Sequence, residues 1–326
     1  MRGRAAGIAV LVLAGALAVA GPAQASANPL EEARQAAGRL SFVGLMHVRW
    51  QDGSKTRVER VSVQADAGAL VFRGGTQVMA APSSERLVQH GGGSWDLLWP
   101  AGLGPGSRPD IAAKYTVDER PGPLVAGQPT TEYDVSSGGR LRERLRLHTA
   151  TSLLLSREQY DDDGQSVRSV GFEALNLEPA SPAVPPAPTD LRRHVPRAEP
   201  GTAPDGLGEG YQRLGVYRRA GVVQSLYSDG LYDLSVFQQR GRLEHDDLPP
   251  GGSPVDMGGS SGRRYTWPGG NLVVWQGGDS VFTAVSDAPL DQVLVAARSV
   301  PRPVRSASFW VKLRAACATL VQPLEA

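Results

Sequence analysis

Cysteine is almost missing from this 326-residue chain, in which Cys317 stands alone. No internal disulfide can form, and a chain of this length can bury enough core to do without one. The single thiol is left to burial or to pairing with another chain. Lysine is nearly as scarce, with Lys55, Lys114 and Lys312 the only three among 34 basic residues. Neither charge sign dominates, because 33 acids leave a formal net charge of +1. That balance argues against a nucleic-acid partner, which needs a basic surface. Histidine occurs only at His47, His90, His148, His194 and His245, with no two at metal-ligand spacing. There is no Gly-x-Ser-x-Gly elbow. The stretch YDDDGQ at 160–165 fails as a calcium loop. With Gly164 in sixth place, Gln159 and Val170 would have to be the first and last ligands, and neither is suited. GLGPGSRP at 102–109 has no following helix to cradle a phosphate. Glu209, Asp233, His245, Asp246 and Asp247 are acids and a histidine with no pattern that joins them. The expectation is a protein without catalytic residues, metal or cofactor.

Long apolar runs are absent except for Ala5–Ala20, which follows Arg2 and Arg4 and precedes Ala23-Gln24-Ala25. Basic start, short apolar run and small-x-small site together read as a signal peptide over 1–25, hence export from the cytoplasm. The run is short for a membrane span. Gly3 breaks any twin-arginine pair, and no cysteine follows to take a lipid anchor. Removing 1–25 takes away two arginines and no acid, which turns +1 into −1.

What the chain has in quantity is glycine (39) and proline (25), the punctuation of a turn-rich β protein. Asn28-Pro29-Leu30 followed by EEARQAAGRL predicts a capped helix over 29–39. About eleven short strand-like segments then follow, separated by turns such as Asp52-Gly53, Gly138-Gly139 and Asp163-Gly164. This pattern predicts one large curved antiparallel sheet, an unclosed barrel around the helix, over 28–177. A proline-rich linker is expected over 178–205, and a smaller α+β domain with five or six strands over 206–300. Asp287 is read as the cap of that domain's helix. In the tail, 301–326, Trp310, Leu313, Cys317 and Leu320 fall on one helical face. A curved sheet around a helix has an apolar interior. Phe42, Leu45, Trp50, Phe72, Leu97, Trp99 and Leu154 are its candidate lining residues, each taken singly more readily plain core, and acyl chains are the ligand class that would suit.

The sharpest local signal is SLYSDGLYDLSVFQQRGRL, 225–243. Asp229-Gly230 predicts a two-residue mirror-image turn. That register sets Tyr227 against Tyr232, Ser225 against Leu234 and Val223 against Val236. One face is then apolar and the other polar, apart from Leu226.

YSDGLYDLSVF at 227–237 resembles a stretch characteristic of the RseB/MucB family of periplasmic sigma-factor regulatory proteins. APLDQVLVAARSV (288–300), LSFVGLMHVRW (40–50, with Gly44) and GFEALNL (171–177) resemble other parts of that family, in the same order. The resemblance runs from Asn28 to Val300. It implies a lipoprotein-carrier-like first domain and a small second one. It also implies negative regulation in an envelope stress response, by binding the exported segment of a transmembrane anti-sigma factor and shielding it from proteolysis. Lipid or lipoprotein acyl chains are implied as a releasing ligand. Ser228, Asp229, Gly230 and Leu231 at the hairpin turn are the candidate partner-binding residues. The alternative is a lipid or lipoprotein carrier that uses the first domain's cavity.

Overall fold

A computed structural model describes residues 28–66, 108–178 and 203–301, except 220, 245, 247 and 268. It describes the backbone alone of strands between 69 and 99 and of 197–198, and no side chain at 34, 219 or 267. The expected signal peptide, Cys317 and the expected helical face of the tail lie outside the described residues. Two compact units divide near His194. Among the described residues no helix is long and apolar enough to cross a membrane.

The first unit opens with helix α1 (Pro29–Ala37). The Asn28 side chain accepts from the Leu30 N–H at 3.1 Å, and Glu31 and Glu32 occupy the first turn, where the helix dipole favours acids. Eleven strands follow: β1 (Phe42–Asp52), β2 (Lys55–Asp66), β3 (Ala69–Gly74), β4 (Gln77–Ala81), β5 (Arg86–His90), β6 (Ser94–Trp99), β7 (Thr116–Val125), β8 (Gln128–Ser137), β9 (Arg140–His148), β10 (Leu154–Tyr160) and β11 (Ser166–Asn176). They form one sheet in the order β6-β5-β4-β3-β2-β1-β11-β10-β9-β8-β7, with antiparallel pairing throughout. Its end strands β6 and β7 do not pair, so the barrel is not closed, as the turn-rich pattern predicts.

One face of this sheet packs the core. Phe42, Met46, Val48 and Trp50 alternate along β1, and Val61, Val63 and Ala65 along β2. With Val170 and Phe172 of β11, Leu153, Leu155 and Ala37 of the helix they form one apolar cluster. Phe42 meets Phe172 edge-on at 6.0 Å. The β7–β8 turn, Ala126-Gly127, has positive φ at both residues (50° and 77°), the mirror-image turn that matches strand twist. Alanine is strained there by about 1–2 kcal/mol, yet Val125 and Ala126 both pack against the cluster. On the exposed edge strand β7, Pro121 and Pro123 remove two backbone donors.

The second unit holds β12 (Arg197–Ala198), β13 (Gly206–Leu207), β14 (Tyr211–Arg219), β15 (Val222–Ser228), β16 (Asp233–Arg240), β17 (Ser253–Asp256), β18 (Ser261–Trp267), β19 (Gly270–Gly277) and β20 (Ser280–Ser286), then helix α2 (Leu290–Arg298). The sheet order is β12-β14-β15-β16-β20-β19-β18-β17, with β13 also on β14. Nine strands replace the expected five or six, because short edge pieces such as β12 and β17 leave too little periodicity to read. Two short pieces of the stretch expected as a linker, 178–205, join this sheet. Arg197–Ala198 pair with β14, and the Asp205 carbonyl accepts from the Arg213 N–H at 2.8 Å. Asp287 does not cap α2; its carboxylate accepts from the Asp233 N–H at 3.1 Å, and Pro289 stands at the cap position.

Gly44 is fixed by a close approach. A Cβ there would lie 2.5 Å from the Phe172 ring and 2.8 Å from the Ala174 carbonyl oxygen. The β1–β11 register shifts just beyond it, between Leu45 and Met46. Gly44→Val is expected to cost about 2 kcal/mol through overpacking, read as a lower urea midpoint with unchanged slope.

Candidate functional site

The core-facing surface of the first sheet is the place where the sequence puts its lipid-lining candidates. Phe42 and Trp50 do lie together on it, at 1% and 4% exposure. Leu45 does not, because strand alternation turns it to the opposite face, where it is half-buried. Leu154 is buried, but its neighbours Leu153 and Leu155 join the apolar cluster in its place. The side chains of Phe72, Leu97 and Trp99, on β3 and β6, lie outside the described residues.

The strand register carries this face from an apolar region to a polar one. Trp50, Arg168, Gln159, Glu143 and Val135 form one row across five strands. The next row is Glu59, Val48, Val170, Arg157 and Leu145. Glu143 is wholly buried, and Arg157 grips it with both fork nitrogens: Nε at 2.7 Å from Oε2 and Nη2 at 2.6 Å from Oε1. Gln159 donates to the same carboxylate at 3.0 Å. Burial pushes the Glu59 carboxyl up from its ordinary value. An apolar face ending in a fixed polar row is the arrangement that holds an amphiphile's tail and head. The same arrangement serves as an ordinary core with a specifying ion pair.

Sequence reasoning missed this row, although the signal was there. Glu143 sits in phase with Leu141, Leu145 and Leu147, and Arg157 and Gln159 in phase with Leu153 and Leu155. A charge in the apolar phase of a strand is bound inward and needs a partner.

The hairpin loop, the sequence's partner-binding candidate, is built inward. Ser228, Asp229 and Leu231 are 1–4% exposed, and Gly230 is buried too. The Asp229 carboxylate accepts from the N–H groups of Leu231 (3.1 Å) and Tyr232 (2.8 Å). The Ser228 hydroxyl donates to the Tyr232 carbonyl (3.0 Å) and accepts from the Gly230 N–H (3.2 Å). Only Gly230 has positive φ, at 95°, so the mirror-image turn does not form. The loop takes four residues, and the register becomes Tyr227 opposite Leu234 and Ser225 opposite Val236. The shift is two residues, so each face keeps its membership. Ser225, Tyr227, Leu234 and Val236 are buried, and Leu226 on the other face is buried as well. Burial pushes the Tyr227 phenol up to about 12. The Ser228 hydroxyl and the Asp229 carboxylate thus bond the loop's own backbone. Among the described residues no group of three or more His, Cys, Asp and Glu could hold a metal ion.

No family model matches the chain, and no curated protein does. It is similar to solved structures of MucB. For the MucA/MucB complex of Pseudomonas aeruginosa the identity is 20%, over 86% of this chain and 98% of that one, with a TM-score of 0.49. For MucB in complex with MucA(peri) the identity is 19%, over the same shares, with a TM-score of 0.48. A LolA superfamily protein, NE2245 of Nitrosomonas europaea, is similar at 8% identity over 81% of this chain and 92% of that one, with a TM-score of 0.21.

Two measurements test the site's construction. Arg157→Met leaves Glu143 buried and uncompensated and is expected to cost about 3–5 kcal/mol, most of which the double change with Glu143→Leu restores. Asp229→Ala strands two buried N–H donors and is expected to cost on the order of 3 kcal/mol. Chemical denaturation of each variant reads both.

Proposed function

We propose that this chain is an exported negative regulator of an extracytoplasmic-function sigma-factor pathway. It binds the exported segment of a transmembrane anti-sigma factor and shields that segment from proteolysis. The observation that carries the reading is the ordered set of family-like stretches, each of which falls on a defined element. LSFVGLMHVRW leads into and forms β1, GFEALNL ends β11, YSDGLYDLSVF forms the β15–β16 hairpin, and APLDQVLVAARSV enters and forms α2. In the hairpin the Ser228 and Asp229 side chains bond the loop's own backbone, while the Asp233 carboxylate takes Arg108 and the Ser235 hydroxyl accepts from Gln224. The solved MucB is bound to MucA(peri), and a partner of that kind is the one proposed. The N-terminal apolar run supports a location outside the cytoplasmic membrane.

A second reading, a lipid or lipoprotein carrier, is favoured by the apolar face with its polar row. In the first reading the same face would take an acyl chain that releases the partner. Neither reading assigns a catalytic residue.

The test is a titration of residues 26–326 with the exported segment of the anti-sigma factor encoded beside this chain, with and without lipid extract. The expected result is micromolar or tighter binding that lipid weakens, with the bound segment resisting protease. Absence of binding, with transfer of retained lipid to an acceptor, would replace regulator with carrier.

A further inference from the structure

β9 reads Arg140-Leu-Arg142-Glu-Arg144-Leu-Arg146-Leu, with arginine at every second position. Alternation puts all four on the face opposite the core, spaced by about 7 Å along the strand. Two acids of β8 lie beneath this stripe. Glu132 is only 7% exposed and is surrounded by three guanidinium groups: Arg120 at 2.5 Å, Arg146 at 2.6 Å and Arg144 at 3.5 Å. Asp134, 15% exposed, takes Arg144 at 2.7 Å and Arg120 at 2.7 Å. Burial pushes the Asp134 carboxyl up, but hydrogen bonds from Arg144 and Arg120 outweigh it and hold it below the usual carboxylate range.

The carboxylates are deep and the guanidiniums stand over them, at 44% exposure for Arg120, 26% for Arg144 and 19% for Arg146. Each guanidinium has five N–H donors. Arg146 spends only Nε on the acids, Arg120 only Nη2, and Arg144 its Nε and Nη2. Among the described residues no acid takes the Nη1 group of any of the three, and the Arg144 guanidinium lies 6.0 Å over the Tyr160 ring. Farther along, Arg140 and Arg142 both reach Asp162, Arg49 lies 3.7 Å from Glu158, and Asp118 stands beside Asp134. The acids thus flank the stripe on both sides. Their role is to fix the forks in advance, which lowers the cost of binding.

We propose that this outer face of β7–β9 docks an extended, acidic polypeptide segment, whose carboxylates at alternate residues engage Arg144 and Arg146, with Arg120 of β7 facing its flank. An extended chain laid along β9 repeats its side chains at the same spacing as the arginines, which a lipid surface does not. The inference names a surface and a chemistry for the partner, and it rests on the reading that the partner is a polypeptide.

The probe is a labelled twelve-residue peptide of alternating Glu and Ser, titrated by fluorescence anisotropy into residues 26–326 at low ionic strength. Binding at tens of micromolar is expected, weakened at least tenfold near physiological salt, where screening acts within about 8 Å. Arg144→Gln with Arg146→Gln should weaken it about tenfold. Arg60→Gln, the same charge change at a guanidinium bound to Glu173 on the exposed face of β2, should leave it unchanged. Arg146→Lys keeps the charge and loses the fork, so partial loss in that variant, with native circular dichroism, guards against misfolding. No binding by the unaltered chain, equal loss with Arg60→Gln, or equal capture of an alternating Lys-Ser peptide would each overturn the proposal. So would Arg144- and Arg146-dependent binding to phosphatidylglycerol vesicles in place of the peptide. Failure of the anti-sigma segment to bind, with the acidic peptide still held, would overturn the regulatory reading alone.

Discussion

The fully buried Glu143 carboxylate is the constraint from which much of the first unit follows. An isolated charge there would cost several kcal/mol, so two neighbouring residues of β10 must point at it. Arg157 and Gln159 do so only if β9 and β10 keep a single register. That register in turn orients Arg144 and Arg146 outward and Leu145 and Leu147 inward. One buried ion pair therefore specifies both faces of the sheet where its strands meet, and a slip of one residue would bury arginines against α1.

Much of this was legible in the sequence. The capped helix, the eleven strands of the first sheet and the open antiparallel arrangement follow from caps, alternation and turn residues. The hairpin's two faces were also readable, because a two-residue shift in register preserves parity. The loop itself was not. Asp-Gly is a turn signal, but Asp229 uses its carboxylate on Leu231 and Tyr232 and so builds a wider loop. Side-chain capping of backbone groups competes with the simple turn, and a local reading cannot tell which wins. The short strands β12 and β13 were lost for a different reason: two residues carry no period.

The candidate sites show the same division. Residue type and phase placed Phe42 and Trp50 together, while Leu45 differs from Phe42 by an odd number of positions and had to leave. The hairpin residues Ser228 to Leu231 look like surface because they are small or polar, yet their polarity is spent on their own backbone. The outer arginine stripe escaped notice because each arginine alone reads as solvated surface. Their grouping shows only when the register of β8 sets Glu132 beneath Arg144 and Arg146, with Arg120 of β7 on its other side.

Pro121 and Pro123 on β7 reach beyond local geometry. An unclosed sheet has a free edge, and a free edge is a template for self-association. The two prolines withhold backbone donors along the second half of that edge. The open barrel can thus keep an accessible rim without polymerising through it.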